Sequence, residues 1–423
     1  MGLAFRLDRG LCDDPVGPRD AITDVPGVLV GHVTLRRGVA RGTWDGRRLA
    51  AADDGGAAPA DGIPAGGGAA GMPLCTGVTA VVPPGDCFAS KLPAASYVSN
   101  GFGKSVGLVQ IDELGSLETP ILLTNTLSVG ACHEALVRDA LGRHPQIGVA
   151  TSTVNPVVLE CNDGPINSIR GLAVRPGHGL DALARAGASP EEGDVGAGAG
   201  MTCFDLKGGI GTASRVLAFD GRRFTIGVLS MVNFGSLPCL RVNGRPTGAM
   251  LADRLRRPHV PDADVKDGGR TGAGGASDRY AAHDDTGSIV TVIATDLPAD
   301  SRQLRRMAKR VTVGIARCGG YIGNGSGEIV VAFSTANRID HWAGEHHDGR
   351  DHPMTDTTLR ISDNAMDRCF RAVAAASEET IISALLHARS VRGRTGTITP
   401  SLTDAFRLAG LHGSCDFDMF SEE

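Results

Sequence analysis

Features that would assign this chain to a specialised class are scarce. The ten cysteines include no Cys-x-x-Cys pair, which argues against a zinc ribbon or a dense disulfide scaffold and predicts mostly reduced, buried thiols. No apolar run approaches 18 residues, and the first 20 residues contain no apolar segment of signal-peptide length. We therefore expect neither a membrane partner nor secretion, and predict a cytoplasmic protein.

An excess of positive charge is also missing. Asp and Glu number 47 against 42 Lys and Arg, and the two signs are interspersed, which gives no support to a nucleic-acid partner. Aromatic residues make up only 4% of the chain, so Val, Leu, Ile and Ala must build the core. With 59 Gly and 22 Pro, the chain is rich in turns.

Motifs for metals and nucleotides are absent too. Four histidines cluster with three acidic residues, but without the helical His-Glu-x-x-His spacing and among glycines and a proline, so a solvated loop is favoured over a zinc site. The glycine-rich stretches at 194–200 and 207–211 match neither a P-loop nor a dinucleotide fingerprint. We expect no metal and no cofactor. The clustered residues are His341, Glu345, His346, His347, Asp348, Asp351 and His352.

The pattern of apolar residues predicts strands alternating with helices. Several short runs are apolar on nearly every residue, which is typical of strands buried on both faces. A helix is predicted over 297–318, another around 131–141, and a third over 362–387 with an interruption near Glu378. This alternation favours layered α/β packing. The predicted strands are 28–30, 77–82, 121–124, 225–232, 288–294 and 328–333.

Two segments are predicted to be flexible surface insertions. Residues 36–71 are rich in Gly, Ala and Asp, and residues 257–287 contain few large apolar side chains, so neither has much to bury. Long loops of this kind cost little additional closure entropy.

The second segment ends abruptly where a buried strand begins, at the Gly287-Ser288 bond. A chain cut before Ser288 would carry a hydroxyl and a free α-amine on one residue, and the amine could act as the base for the hydroxyl. Glycine before the bond leaves its carbonyl open to attack by the Ser288 hydroxyl. The alternative reading is a turn that merely precedes a strand.

Two further polar groups stand at predicted strand ends. In Asn324-Gly325-Ser326-Gly327-Glu328 the hydroxyl and the carboxylate are two residues apart and are expected on the same side; an ordinary β-turn is the alternative. Asn233 ends the strand at 225–232 and can present its side-chain amide, although it could equally cap a turn.

Six segments, in order from residue 21 to residue 328, resemble the self-cleaving DmpA-type aminopeptidase family, also called the L-aminopeptidase/D-Ala-esterase or β-aminopeptidase family. The resemblance spans roughly residues 20 to 400, which is nearly the whole chain. The segments are AITDVPGVLVGH (21–32), LTNTLSVG (123–130), KGGIGTASR (207–215), MVNFG (231–235), GSIV (287–290) and NGSGE (324–328).

The resemblance implies an αββα layered sandwich of the type shared with ornithine acetyltransferase. It implies cleavage between Gly287 and Ser288 into an α-chain (1–287) and a β-chain (288–423) of one catalytic domain, and a homotetramer. By the same resemblance Ser288 is the nucleophile, Ser326 bonds it with Glu328 as acidic partner, and Asn233 donates to the oxyanion.

The chain departs from the family pattern at two positions. Asn162 stands in Glu160-Cys161-Asn162-Asp163-Gly164 where the family's aminopeptidases have a tyrosine, which leaves the second oxyanion contact open. Lys104 stands where they have an acidic residue, and a lysine would repel a substrate ammonium. Glu160 and Glu113 remain as candidates for binding that ammonium, with Asn162 as a further substrate contact. Cys161 is a less favoured nucleophile.

The resulting prediction is a self-processed serine hydrolase that cleaves the amide or ester bond after the N-terminal residue of small peptides or amino-acid amides. An amidase of non-peptide oligoamides, or an acyl transferase with the same nucleophile, is the alternative among enzymes. A non-catalytic peptide-binding paralogue is the alternative from another class.

Overall fold

The computed structural model describes residues 3–5, 11–51, 58–59, 71–256, 283–411 and 420–422. Six of the eight α-helices in this part of the chain have seven to ten residues, and two are longer. They are α1 (Leu108–Leu114), α2 (Val129–Arg143), α3 (Pro176–Ala184), α4 (Thr247–Arg256), α5 (Ser301–Ala308), α6 (Val311–Arg317), α7 (Met366–His387) and α8 (Leu402–Leu408).

Strands outnumber helices, and many consist of two or three residues. In chain order they are β1 (Leu3–Phe5), β2 (Leu29–Arg37), β3 (Ala40–Trp44), β4 (Leu49–Ala51), β5 (Ala58–Pro59), β6 (Leu74–Val82), β7 (Ser90–Gly101), β8 (Ser116–Leu117), β9 (Ile121–Asn125), β10 (Val157–Cys161), β11 (Thr202–Cys203), β12 (Leu206–Lys207), β13 (Gly209–Phe219), β14 (Arg222–Asn233), β15 (Ser288–Thr295), β16 (Gly327–Ser334), β17 (Ile339–Asp340), β18 (His346–His347), β19 (Arg350–Asp351), β20 (Ser390–Arg392), β21 (Ile398–Thr399) and β22 (Phe420–Glu422).

Two sheets form the centre of the fold. One has the strand order β10-β9-β6-β2-β5, and the other has the order β13-β14-β15-β16-β7-β17 with β8 paired to β7. In the larger sheet β15 is antiparallel to β14 and parallel to β16. Every residue of β15 and β16 is buried, as expected for strands covered on both faces.

Apolar side chains fill three successive layers. Val81 and Leu123 of the smaller sheet pack against Val290 of the larger one. The outer face of the smaller sheet packs on α2 and α3 through residues such as Leu136. The outer face of the larger sheet packs on α5, α6 and α7 through residues such as Ile315. The layers therefore run helix, sheet, sheet, helix, and the predicted αββα sandwich is confirmed.

Most predicted elements are confirmed with extended bounds. Five of the six predicted strands lie within β6, β9, β14, β15 and β16, the sixth overlaps β2 except at Val28, and the helix expected around 131–141 is α2. Their runs were long and apolar enough for the periodicity to identify them.

The helix predicted over 297–318 is wrong as a single element, because it is two helices, α5 and α6. The Arg310 amide donates to the Met307 carbonyl, 2.8 Å away, in a tight turn between them. Leu304, Met307, Val311 and Ile315 nevertheless pack into one core. The three- and four-residue steps therefore continue across the break and conceal it.

The interruption predicted near Glu378 is also wrong, because α7 runs unbroken from Met366 to His387. The Glu378 carboxylate is buried and accepts a hydrogen bond from Arg317. Glu379 pairs with Arg215 at 2.5 Å. Ion pairing lets these carboxylates lie on a helix that is otherwise covered by apolar residues.

The predicted insertions have different outcomes. Most of residues 36–51 belong to regular structure, because β3 pairs with β4 and β20 in a four-stranded sheet. Backbone hydrogen bonds between these strands order this part of the chain despite its composition. The expectation of a flexible insertion is therefore corrected for residues 36–51. Within 36–71, residues 52–57 and 60–70 lie outside the described residues. Most of the second predicted insertion, 257–282, also lies outside them.

Other features agree with or extend the sequence analysis. Eight of the nine cysteines in the described part of the chain are buried, and all nine are free thiols; Cys415 lies outside it. No helix among the described residues has the length and apolar character needed to cross a bilayer. In the histidine-rich segment, His352 pairs with Asp340 at 2.5 Å and the His347 ring stacks on Trp342.

Candidate active site

The candidate site lies where three neighbouring strands of the larger sheet begin or end. The last residue of β14, Asn233, is the register partner of Ser288, the first residue of β15. Ser288 is in turn the partner of Gly327, the first residue of β16. The sheet therefore brings Asn233, Ser288 and the Ser326–Glu328 segment together, although they are far apart in the sequence.

The peptide bond before Ser288 is held in a confined position. Ser288 is only 7% exposed. The Gly287 carbonyl accepts a hydrogen bond from the Gly327 amide at 3.3 Å, which polarises the carbonyl carbon next to the Ser288 hydroxyl. A Cβ atom at position 287 would lie 2.2 Å from the Asn233 carbonyl oxygen, so only glycine fits there without displacing backbone.

Asp285 belongs to this site, and the sequence analysis gave it no role. Its Oδ1 accepts from the Gly287 amide and from the Gly235 amide, both at 3.1 Å. The first is an Asx turn, in which an aspartate bonds the amide two residues later. An aspartate two residues before glycine at the end of a loop was the signal that could have identified it.

Ser326 and Glu328 are paired as their spacing predicts. The Ser326 hydroxyl donates to Glu328 Oε1, whereas Glu328 Oε2 is buried without a hydrogen-bond partner among the described residues. Asn100 Nδ2 donates to the carbonyls of Gly323 and Ser326, which holds the turn that presents them. No hydrogen bond joins the Ser326 and Ser288 hydroxyls in the described part of the chain.

Burial determines the protonation of Glu328. It raises the pKa of this carboxyl group to about 7; the hydrogen bond from Ser326 opposes the rise, and the Asp285 carboxylate adds to it. The group is therefore poised to change charge near neutral pH, which is the range where a proton-handling group is most useful.

This raised pKa makes a prediction about stability. The pKa of a glutamate in an unfolded chain is about 4.3, so between that pH and about 7 unfolding releases a proton and stability falls as the pH rises. Glu328→Gln has no such titration. As the pH rises from 5 to 8, the free energy of unfolding of wild type should therefore fall by about 1–3 kcal/mol relative to that of Glu328→Gln.

Urea unfolding at several pH values measures this difference. Both chains also carry Ser288→Ala, which keeps them uncut whatever Ser288 does in maturation. Glu134→Gln is the control, because Glu134 is an exposed carboxylate paired with Arg138 on α2. Parallel pH profiles for the Glu328→Gln and parent chains would contradict the prediction.

The Asn233 side chain is oriented by two hydrogen bonds. Its Oδ1 accepts from the Thr202 amide at 2.9 Å, and its Nδ2 donates to the Asn162 carbonyl at 3.1 Å. Because a primary amide has two N–H groups, one donor remains beyond the bond to Asn162. The Asn162 side chain is exposed and its Oδ1 accepts from the Gly164 amide at 2.9 Å.

Lys207 supports this arrangement from inside the protein, and sequence reasoning missed it. Its ammonium is fully buried and donates to the carbonyls of Gly198, Met201 and Gly208 at 2.8–3.0 Å. Burial lowers the pKa of Lys207 to about 8. These bonds fix the backbone on both sides of Thr202, whose amide orients Asn233.

Glu160 lies close to the site, on the side of β16. Its Oε1 accepts from the Lys104 amide at 2.7 Å, and its Oε2 accepts from the Thr126 hydroxyl. The Lys104 ammonium points elsewhere and lies 4.5 Å from the centre of the Phe102 ring. The lysine that sequence reasoning expected to repel a substrate ammonium therefore presents its backbone to Glu160.

The structure does not bring Glu113 to these residues. Glu113 is exposed near the end of α1. Its neighbour Asp112 bonds Ser96 in the middle of β7. Ser96 is five residues from Gly101, the β7 partner of Gly327, which corresponds to roughly 17 Å along a strand.

Cys161 lies beside Ser288 but is a poor alternative nucleophile. Burial raises the pKa of the Cys161 thiol far above its ordinary value, against an opposing hydrogen bond with Ser288. A protonated thiol is a poor nucleophile. Among the described residues, no three His, Cys, Asp or Glu side chains converge as a metal would require.

The chain is similar to known peptidases over most of its length. The family described as Peptidase family S58 matches residues 20–399. The chain is 38% identical over 382 residues to the β-peptidyl aminopeptidase BapA of Sphingosinicella microcystinivorans, covering 90% of this chain and 84% of that protein.

Two solved structures have similar folds. A β-aminopeptidase from a Burkholderia species has 34% identity and a TM-score of 0.72, with 96% of this chain and 97% of that chain covered. The L-aminopeptidase D-Ala-esterase/amidase of Ochrobactrum anthropi, described as a new variant among the Ntn hydrolase fold, has 30% identity and the same TM-score, with 97% of each chain covered.

Proposed function

The chain belongs to peptidase family S58, and on this basis we propose that it is an autoproteolytically matured serine aminopeptidase. It removes the N-terminal residue from small peptides or amino-acid amides, and by analogy with the β-aminopeptidases it accepts N-terminal β-residues. The observation that carries the proposal is the convergence of Asn233, Ser288 and the Ser326–Glu328 pair at three adjacent strand ends.

Maturation begins at the Gly287-Ser288 bond. Ser288 Oγ attacks the Gly287 carbonyl carbon, the C–N bond breaks, and the Ser288 nitrogen takes a proton to become a free α-amine. Water then hydrolyses the ester, which leaves a carboxylate on Gly287. The Gly327 amide, which donates to the Gly287 carbonyl, supports this step because it stabilises the developing oxyanion.

The two fragments, 1–287 and 288–423, stay associated after the cut. The first contributes β13, β14 and β7 to the larger sheet, and the second contributes β15 and β16 between them. Neither fragment buries its strands alone, so they remain one catalytic domain.

In the mature enzyme Ser288 supplies both the nucleophile, which is its hydroxyl, and the base, which is its α-amine. Its α-amine takes the proton from Oγ as Oγ attacks the substrate carbonyl, and it passes that proton to the leaving amine when the scissile C–N bond breaks to give the acyl-enzyme. The neutral amine then takes a proton from water, which hydrolyses the ester and releases the N-terminal residue with a free carboxylate. Ser326 and Glu328 hold the proton network beside it. Supporting this role, the pKa of Glu328 is raised to about 7.

Glu160 binds the substrate ammonium in this proposal. Both of its oxygens accept hydrogen bonds from neutral donors, and the Lys104 ammonium lies over Phe102, so the carboxylate charge is available to a cation. The distance of Glu113 from the strand ends leaves it without such a role.

Asn233 is the oxyanion donor, and its removal should have a large effect. We expect Asn233→Ala to lower kcat by about 10²–10³ because the negative charge of the tetrahedral intermediate loses a preorganised donor. Single-turnover kinetics on an aminoacyl p-nitroanilide measure the loss.

The control for Asn233 is Asn155→Ala. Asn155 is also a hydrogen-bonded asparagine, but it contacts Glu118 and not the strand ends. A comparable loss in Asn155→Ala, or near-normal turnover in Asn233→Ala, would contradict the assignment.

A panel of L-, D- and β-aminoacyl p-nitroanilides, with N-acetylated versions as controls, tests the function itself. An aminopeptidase hydrolyses the free amines and rejects the acetylated compounds, whereas a peptide-binding paralogue hydrolyses neither. The homotetramer and the cytoplasmic location stay proposals from the sequence; light scattering of the purified protein tests the first.

A further inference from the structure

A cationic cavity opens next to the candidate site on the side of β14. It has a volume of about 510 Å³ and is lined by residues that include Asn162, Gly164, Ser168, Arg170 and Arg394. Asn162, Arg170 and Arg394 are exposed, so the cavity is reached from solvent. Its size suits a group as small as one or two amino-acid residues.

The charged side chains that line this cavity are all positive. Its lining includes two guanidinium groups and, among the described residues, no carboxylate. Asp163 lies next to the lining in the chain but is fully buried, and its Oδ1 accepts from Asn167 Nδ2 at 3.0 Å. Neither Arg170 nor Arg394 forms an ion pair within the described part of the chain.

Arg394 is held in place by backbone. Its Nε donates to the Gly164 carbonyl at 2.6 Å, and its amide donates to the Ile166 carbonyl at 2.9 Å. Its terminal nitrogens have no hydrogen-bond partner among the residues that the structure describes, and they form a guanidinium fork that matches a carboxylate in geometry and charge.

The cavity lies on the opposite side of Ser288 from Glu160. Glu160 approaches through the segment at Gly103, which packs beside Ile329 of β16. The cavity begins at Asn162, whose carbonyl accepts from Asn233 on β14. Since β15 lies between β14 and β16, the order across the sheet is Glu160, Ser288, Asn233 and then the cavity.

Resting on the proposed function, we infer that this cavity binds the leaving portion of the substrate and that Arg170 and Arg394 recognise its free α-carboxylate. A substrate with its ammonium at Glu160 and its scissile carbonyl at Ser288 directs its leaving residue toward the cavity. One residue spans at most about 3.6 Å, so a leaving single residue or dipeptide extends roughly 4–7 Å from the scissile carbonyl on the side where the guanidinium groups lie. The preferred substrates are short peptides with a free C-terminus.

Matched substrates test the inference. The mature enzyme is assayed with a dipeptide and a tripeptide as free acids and as C-terminal amides. We expect kcat/KM to favour the acids by roughly tenfold, mainly through KM, because a charge-assisted hydrogen bond discriminates by about this much. Arg170→Met and the double variant with Arg394→Met should remove this preference and leave hydrolysis of the amides and of aminoacyl p-nitroanilides near wild type.

Arg392→Met is the matched control. It removes the same charge two residues from Arg394, from an exposed position that does not line the cavity, and it should keep the preference. Arg394→Lys retains the positive charge but not the two-pronged guanidinium geometry, so it should keep part of the preference for free acids.

The outcomes separate this inference from the proposed function. Hydrolysis of anilides and peptide amides without preference for free acids, or a preference that survives the double variant, overturns the inference alone. A protein that hydrolyses none of the substrates overturns the proposed function, and the inference with it.

Discussion

Ser288→Ala should yield a folded chain of the full 423 residues that neither cleaves itself nor hydrolyses any aminoacyl p-nitroanilide. The substitution removes the only group that we propose for attack in both reactions, so the loss should extend to the detection limit of the assay. Intact-mass spectrometry of the purified protein measures maturation, and wild type should give fragments 1–287 and 288–423.

Two controls separate lost chemistry from lost structure. The Ser288 side chain is small and lies at the start of β15, so alanine should preserve the fold. Circular dichroism and thermal unfolding can verify this. Ser288→Cys should recover slow self-cleavage, because a thiol is a competent nucleophile. An uncut wild-type chain with full hydrolytic activity would show that the free α-amine is not required.

The strands around the site were predictable because their sequences leave little choice. β15 and β16 are buried at every position, and runs of Val and Ile bounded by glycine identify such strands without a homologue. The αββα order, by contrast, followed from the family resemblance, because periodicity does not specify which sheet face meets which helix.

Contacts between distant segments were not predictable in the same way. Lys207 looked like part of a glycine-rich loop, yet it is fully buried because three backbone carbonyls receive its ammonium. Nothing in the local pattern of residues 207–211 specifies that these carbonyls converge. The distance of Glu113 from the site has the same origin, since it depends on where α1 lies along β7.

Site geometry adds detail to the reading of the resemblance. The Ser326 hydroxyl donates to Glu328 and its oxygen can still accept a hydrogen bond from Ser288, so the expected contact between the two serines stays a prediction. The register shift between β7 and β16 at Glu328 and Ile329 is a bulge, and bulges redirect side chains near active sites. Spacing predicted the Ser326–Glu328 pair, but the bulge beside it depends on how β7 pairs with β16, which spacing does not specify.

The base in this mechanism is the α-amine of Ser288, so blocking that amine should sharply lower turnover. Acetylation of the mature enzyme at the Ser288 nitrogen should lower kcat by about 10²–10⁴, the usual contribution of a general base. Peptide mapping by mass spectrometry identifies the acetylated site. The uncut Ser288→Ala chain, acetylated in parallel, shows whether modification elsewhere disturbs the fold.

The pH dependence of kcat/KM tests the same mechanism without adding an acetyl group to the site. An unperturbed α-amine has a pKa of about 7.7–8.0, so kcat/KM should rise with pH through a limb near this value. A nearby carboxylate raises an amine's pKa. Glu328→Gln should therefore move the limb to lower pH, in addition to any loss of rate.

Histidines provide the contrasting case, because none of those described hydrogen-bonds to Ser288, Asn233 or Glu328. His32 bonds Thr79 at 3.0 Å, and burial lowers its pKa to about 4. We expect His32→Gln, His133→Gln, His178→Gln and His283→Gln to retain the pH limb and activity within a few-fold. If one of these variants lost several orders of magnitude in kcat/KM while still folding and cleaving itself, a histidine would be the base and the α-amine mechanism would be wrong.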